Sequence, residues 1–240
     1  MRSTRTSTKP SRPSPRRIRT ALASCYGEPS RSRLPLGNKR DPLDELIYIL
    51  LTVQTAYGVD AVWAALKKRF PTWGHVVRAR EESLRRVIQP LGLSQQRARR
   101  IRIVLRAVRD EMGTLSLRRL RRMETADAEA FLTSLPGVGL KVARCVLMYS
   151  CGHDVLPVDA HVLRVSKRLG WLAADTSWSE AHEAIHRAVP PEQRYSLHVN
   201  LVRLGRDICV AWSPQCVSCP VAKMCPSAAI GPARPDKFLT

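Results

Sequence analysis

A chain of 240 residues has room for one large domain or two small ones, and its 40 Lys and Arg against 20 Asp and Glu leave a net charge of +20. Such a surplus points to a polyanion, nucleic acid first because phosphate neutralisation dominates its binding, against the plainer reading of an arginine bias that serves solubility. The longest aliphatic run, LIYILLTV at 46–53, is too short to span a bilayer, and seven cysteines without an apolar secretory signal point to a reducing compartment and not to disulfides.

The N-terminal stretch is basic, hydroxyl-rich and free of acids until Glu28. It reads as a disordered tail over 1–14 that adds non-specific DNA affinity, with an organelle transit peptide as the alternative. Asp41-Pro42 opens a helix carrying Leu43, Leu46, Ile47, Leu50 and Leu51, apolar on most sides and so central in a bundle. A second helix is predicted over 60–70, stopped by Pro71, and a third over 81–93, ending near Pro90-Leu91-Gly92. Ser94 then caps a long helix whose buried stripe is Ile101, Leu105, Val108 and Met112. Arginines 97, 99, 100, 102, 106 and 109 cover much of the rest, as a solvated face with no specific role. Further helices are expected over 127–135, 141–151, 160–169, 178–188 and 192–208. No segment alternates with a period of two over a strand's length, so the predicted fold class is all-α.

Between the helices at 127–135 and 141–151 the chain reads LPGVGLK. Gly137 and Gly139 permit positive φ and close backbone approach, and the amides at the start of the second helix suit an anion such as a DNA phosphate. A glycine-rich connection between packed helices is the plain alternative. Four cysteines follow late in the chain as C-x6-C-x2-C-x5-C, at 209, 216, 219 and 225. That spacing suggests an iron–sulfur centre or a four-cysteine zinc site.

LPGVGLKVA resembles the helix–hairpin–helix of the endonuclease III group of DNA glycosylases, with the pattern LPGVG-x-K-x-A. PVDAHVLRVSKRLGW resembles the same group's VD-x-H segment, and the cysteine spacing its [4Fe–4S] motif. LLTVQTA and LGLSQQRARRI resemble further segments, and the motifs stand in the family's order over roughly residues 15–226. The resemblance implies an all-α fold of two lobes. A helical barrel would comprise 40–154, and a cluster domain 155–226, with 15–39 as an N-terminal helix and linker packed on it and 227–240 as a C-terminal tail.

It also implies roles. Lys141 would be the nucleophile that attacks the sugar of a flipped-out nucleotide and forms a Schiff base. The helix dipole at that position is worth only about 0.3–1 kcal/mol against an ammonium, too little to yield a neutral amine alone. Asp159 would be the essential carboxylate, stabilising charge that develops on the sugar, and it equally reads as a helix N-cap. Cys209, Cys216, Cys219 and Cys225 would hold the [4Fe–4S] cluster. Gly137, Val138 and Gly139 would contact DNA at the hairpin. Gln54 and Leu93 would enter the duplex where the target nucleotide has left, or else serve as a helix cap and a core side chain. His161 matches the family pattern and also suits a structural role.

Two departures stand out. The loop VAWSPQ at 210–215 has no lysine or arginine where the family places basic DNA contacts, so Trp212 is expected to pack instead. Tyr57 and Gly58 occupy the region after Gln54 where an aspartate is usual. The expected function is a bifunctional base-excision glycosylase and abasic-site lyase acting on damaged pyrimidines in double-stranded DNA. It is expected to be monomeric, without membrane association, and cytoplasmic or nucleoid-associated. The alternatives are a related glycosylase acting on 5-methylcytosine or mismatched thymine or uracil, and a non-catalytic DNA-binding scaffold.

Overall fold

The structure is a computed structural model that describes residues 12–53 and 58–228. It is all-α: eleven α-helices and several 3₁₀ turns, with no strand among the described residues. The chain divides into two compact units, one formed by residues up to Ser30 with those from Asp154 onward, the other by Arg31–His153. Residues 31–39, which the sequence reading attached to the N-terminal helix, fall in the second unit.

The second unit holds α2 (Pro42–Thr52), α3 (Val59–Arg69), α4 (Trp73–Arg78), α5 (Glu81–Ile88), α6 (Ser94–Met112), α7 (Thr125–Ser134) and α8 (Leu140–Val146). Helix α2 starts where Asp41 Oδ1 accepts the Leu43 and Asp44 amides at 3.1 and 3.4 Å, with Pro42 in its first turn. Leu43, Leu46, Ile47 and Leu51 are completely buried, so α2 is the central helix that its all-round apolar sequence demands. Each such side chain contributes about 1.5–3 kcal/mol of burial. Helices α3, α6 and α8 pack against α2, and α7 packs against α8. Arg144 on α8 donates to Glu129 on α7 at 2.6 and 3.2 Å, tying together the helices on either side of the glycine turn.

The first unit holds α1 (Pro15–Tyr26), α9 (Ala160–Arg168), α10 (Trp178–Ala188) and α11 (Pro191–Asp207). Ile18 and Leu22, one helical turn apart on α1, are fully buried, and both α1 and α9 pack on α11. Asn200 and Arg203 donate to the carbonyls of Gly27 and Tyr26, closing the C-terminal end of α1. No helix among the described residues is long and apolar enough to cross a membrane.

Several local expectations change. Ser94 is the first residue of α6 and not its cap; Leu93 holds the cap position in a left-handed conformation, and no side chain bonds the free amides there. The segment 81–93 breaks after Ile88 into a 3₁₀ turn over Gln89–Leu91, because Pro90 cannot continue an α-helix. The helix expected over 141–151 passes at Leu147 into a π-turn that runs to Cys151. Val104 belongs to the buried stripe of α6, whereas Met112, at the helix end, is half-buried. The arginines of α6 are not uniformly solvated. Arg102 donates to the carbonyls of Val76 and Ala79 at the end of α4, and Arg97 is buried.

Candidate functional site

The turn Pro136-Gly137-Val138-Gly139 closes with the Val138 amide donating to the Leu135 carbonyl at 3.0 Å. Gly137 has φ +75°, the conformation that requires glycine, and a Cβ there would stand 2.7 Å from Arg100 Nε, so the Arg100 side chain would have to move. Gly139 has φ −89° and open space around it, and its carbonyl starts α8 by accepting from Ala143. Val138 is only 4% exposed, so its side chain belongs to the core and only its backbone faces outward.

Lys141 follows in the first turn of α8, half-exposed, with no hydrogen bond or ion pair among the described residues. One neighbour was not singled out from the sequence. Glu45 on α2 is completely buried, accepting from the Lys39 amide at 2.5 Å and Asn38 Nδ2 at 2.6 Å. Burial pushes its carboxyl up to about 7, opposed by those hydrogen bonds and by the charges of Lys39 and Lys141. Because the folded value lies above the ordinary one, ionising Glu45 weakens the fold. Its contribution is most favourable below about pH 4.5 and is lost as the pH rises to about 7. The available signal was the pair of acids Asp44 and Glu45 at the start of a helix that is otherwise almost wholly apolar.

Leu93 is 52% exposed, with φ 48° and ψ 30°, which removes the core reading of this residue. It lines an open pocket with Leu50, Val53, Gln96, Arg97, Arg100 and Ile101. Arg97 sets that geometry: its guanidinium donates to the carbonyls of Leu50, Leu51 and Val53 at the end of α2, and to Gly92 beside Leu93. The α2 end leads directly into Gln54, which lies outside the described residues.

The first unit carries the remaining candidates. Asp159 caps α9, with Oδ1 accepting the Val162 amide at 2.8 Å and no partner for its other oxygen among the described residues. His161 lies on Gly205, where a Cβ would stand 2.7 Å from His161 Cβ, and Arg164 Nη2 donates to its Nδ1 at 3.2 Å. Arg164 also reaches the carbonyls of Gly205 and Cys209, which ties the start of α9 to the cysteine segment.

Cys209, Cys216, Cys219 and Cys225 line one pocket with Val165, Leu169, Leu204, Ile208 and Val221. Arg168 Nη1 donates to Cys209 Sγ at 3.1 Å, and the Cys225 thiol donates to the Arg168 carbonyl at 3.3 Å. Burial, with mutual repulsion from the other cysteines, pushes the Cys219 thiol up to about 11 and raises Cys225. Four thiolates in such a pocket require a cationic centre beside them. The four cysteines lining this one pocket are the residues that would hold a metal centre. Trp212, expected to pack, is 64% exposed.

A family model described as HhH-GPD superfamily base excision DNA repair protein matches residues 49–191. Endonuclease III of Bacillus subtilis is 30% identical over 186 residues, 77% of this chain and 81% of its own. Thymine-DNA glycosylase of Aeropyrum pernix is 28% identical over 217 residues, 87% of this chain and 92% of its own. A provisionally named DNA glycosylase of Arabidopsis thaliana is 33% identical over 165 residues, 68% of this chain, and the chain spans 56% of that protein's length. Among solved structures, a non-covalent endonuclease III–DNA complex matches with a TM-score of 0.75 at 28% identity, over 89% of this chain and 94% of that one.

The exposed, left-handed Leu93 makes a stability prediction. Leu93→Gly relieves a conformation that costs about 1 kcal/mol, so its urea-unfolding stability should match or exceed the parent by up to ~1 kcal/mol. A loss well beyond 1 kcal/mol would return Leu93 to the core.

Proposed function

The chain belongs to the HhH-GPD superfamily of base excision DNA repair proteins, and from that premise we propose a DNA glycosylase whose Lys141 also performs the lyase step. The observation that carries this reading is an unpartnered lysine in the first turn after the glycine hairpin. In it the target nucleotide leaves the stack, and the exposed Leu93, with Gln54, fills the space it vacates. The neutral Nζ of Lys141 attacks C1′, the glycosidic bond breaks, and the base leaves with its electron pair and takes up a proton. Ring opening gives a Schiff base between Nζ and C1′. Loss of a C2′ proton then expels the 3′ phosphate, and water releases the lysine.

Asp159 contributes through the oxygen that the cap does not use. Its negative charge opposes the positive charge that grows on the sugar as the base departs. Cap and catalytic role coexist here because a carboxylate has two oxygens and the Val162 amide occupies one. Cys209, Cys216, Cys219 and Cys225 would hold a [4Fe–4S] cluster, which supplies a structural anchor for the C-terminal loops. Arg164 and Arg168 would transmit that anchoring to α9, since both donate to the Cys209 carbonyl.

Damaged pyrimidines are the proposed substrates, by likeness to the Bacillus endonuclease III. Mismatched thymine or uracil is a second reading, supported by comparable identity to the Aeropyrum enzyme over more of the chain.

Borohydride added during incubation with lesion-bearing duplexes should trap a covalent protein–DNA adduct that Lys141→Ala abolishes. Duplexes with thymine glycol, mismatched thymine or uracil, and 5-methylcytosine rank the substrates, and failure to trap or cleave any of them would leave a DNA-binding scaffold. Asp159→Asn keeps a cap acceptor, so its stability should stay within about 0.5 kcal/mol of the parent. Its single-turnover rate should nevertheless fall about 10²–10³-fold; an unchanged rate would reduce Asp159 to a cap. The purified protein should contain iron and acid-labile sulfide in equal amounts and lose them in Cys216→Ser. Stoichiometric zinc without sulfide would overturn the cluster assignment.

A further inference from the structure

Arg100 is the least explained charged residue near the hairpin. It is exposed on α6, and no hydrogen bond or ion pair engages it among the described residues. On the same helix Arg97 and Arg102 end on backbone carbonyls, whereas Arg99 and Arg106 share the lack of a partner among the described residues. Arg100 lies instead on the glycine turn. The Cβ position of Gly137 is 2.7 Å from Nε, 3.0 Å from Nη2 and 3.2 Å from Cζ, so the guanidinium rests on the backbone that the absent side chain leaves bare. The same residue lines the pocket that Leu93 overhangs.

A guanidinium with no acceptor, held against an exposed turn, has its donors available for an external anion. Packing alone does not account for it, because a neutral side chain would cover Gly137 without bringing a second charge toward Arg97. The anion must reach an exposed surface and accept from a planar fork, which describes a phosphodiester oxygen pair. We propose that Arg100 and the Pro136–Gly139 turn together hold one phosphate of the DNA backbone, with Gly137 as the residue that lets guanidinium and turn share it. This rests on the DNA-binding reading above and adds a binding residue to it. The site is sequence-neutral: a phosphate contact fixes register and position on the duplex and reads no base.

The test uses the full chain and duplexes with a stable abasic analogue. Affinity is measured against salt for the parent, Arg100→Gln and Arg100→Lys. Loss of one phosphate contact should lower the magnitude of the log–log salt slope by about 0.9 in Arg100→Gln. Between 50 and 200 mM salt that is about a 3.5-fold smaller loss of affinity. Arg100→Lys, which keeps the charge, should retain most of the slope. Single methylphosphonate substitutions along the duplex then locate the contact: the one that weakens the parent should have no further effect on Arg100→Gln. If the parent binds and processes DNA but Arg100→Gln keeps the full slope, or every methylphosphonate weakens it as much as it weakens the parent, the proposal is overturned while the glycosylase reading stands. A parent that shows no salt-dependent binding overturns both.

Discussion

An all-α protein must find partners for the carbonyls at the end of every helix, and in this chain arginine supplies them at five of its eleven helices. Each helix leaves four C=O groups without intrahelical partners, and a buried one left unsatisfied costs about 1–3 kcal/mol. Arg203 meets the end of α1, Arg97 that of α2, Arg102 that of α4, Arg194 that of α10 and Arg164 that of α11. Arg121 does the same for Ser150 in the π-turn. The geometry suits the residue, since five donors in a planar fork can reach several carbonyls at once, as Arg97 reaches four. A cation at a helix C-terminus also faces the negative end of the dipole. The folded architecture and the arginine content are therefore one fact seen twice.

That changes the meaning of the net charge. A surplus of +20 suggests a surface built for a polyanion, yet part of it is spent inside the fold, on carbonyls that no ligand can displace. What marks an arginine as available is the absence of an internal partner. On α6 the distinction runs residue by residue: Arg97 and Arg102 are committed, whereas Arg99, Arg100 and Arg106 have no partner among the described residues. Charge counts along a sequence cannot make this separation, because three of the four carbonyls that Arg97 reaches lie more than forty residues away.

Helices with a strong apolar period were legible in the sequence, as α2 and α6 illustrate, because burial of a stripe or of a whole helix is encoded locally. The six-residue α4 was missed, being too short for any period to register. The four cysteines and the glycine turn were legible because chemistry fixes their spacing, and so was the helix start at Asp41-Pro42. Leu93 was legible as a candidate but not in its conformation: the structure puts an apolar side chain where a serine one residue later had been expected to cap. Glu45 was illegible as a buried acid. Nothing in LDELIYILL states that the acid is turned inward under the Asn38–Lys39 segment, since its partners come from a loop whose path only the tertiary structure sets.

Three departures from ordinary stability rules lie in the second unit. Leu93 is an exposed aliphatic residue in a left-handed conformation. Glu45 is a buried carboxyl whose ionisation weakens the fold, within electrostatic range of Lys141. The exposed Arg100 places an unpaired guanidinium on Gly137, beside the buried Arg97. Each would be replaced readily if stability were the only demand, by glycine, by an aliphatic residue and by a neutral side chain respectively. Leu93, Glu45 and Arg100 stand around the hairpin, its lysine and the adjoining pocket, and such concessions of stability are what a functional site there would ask for.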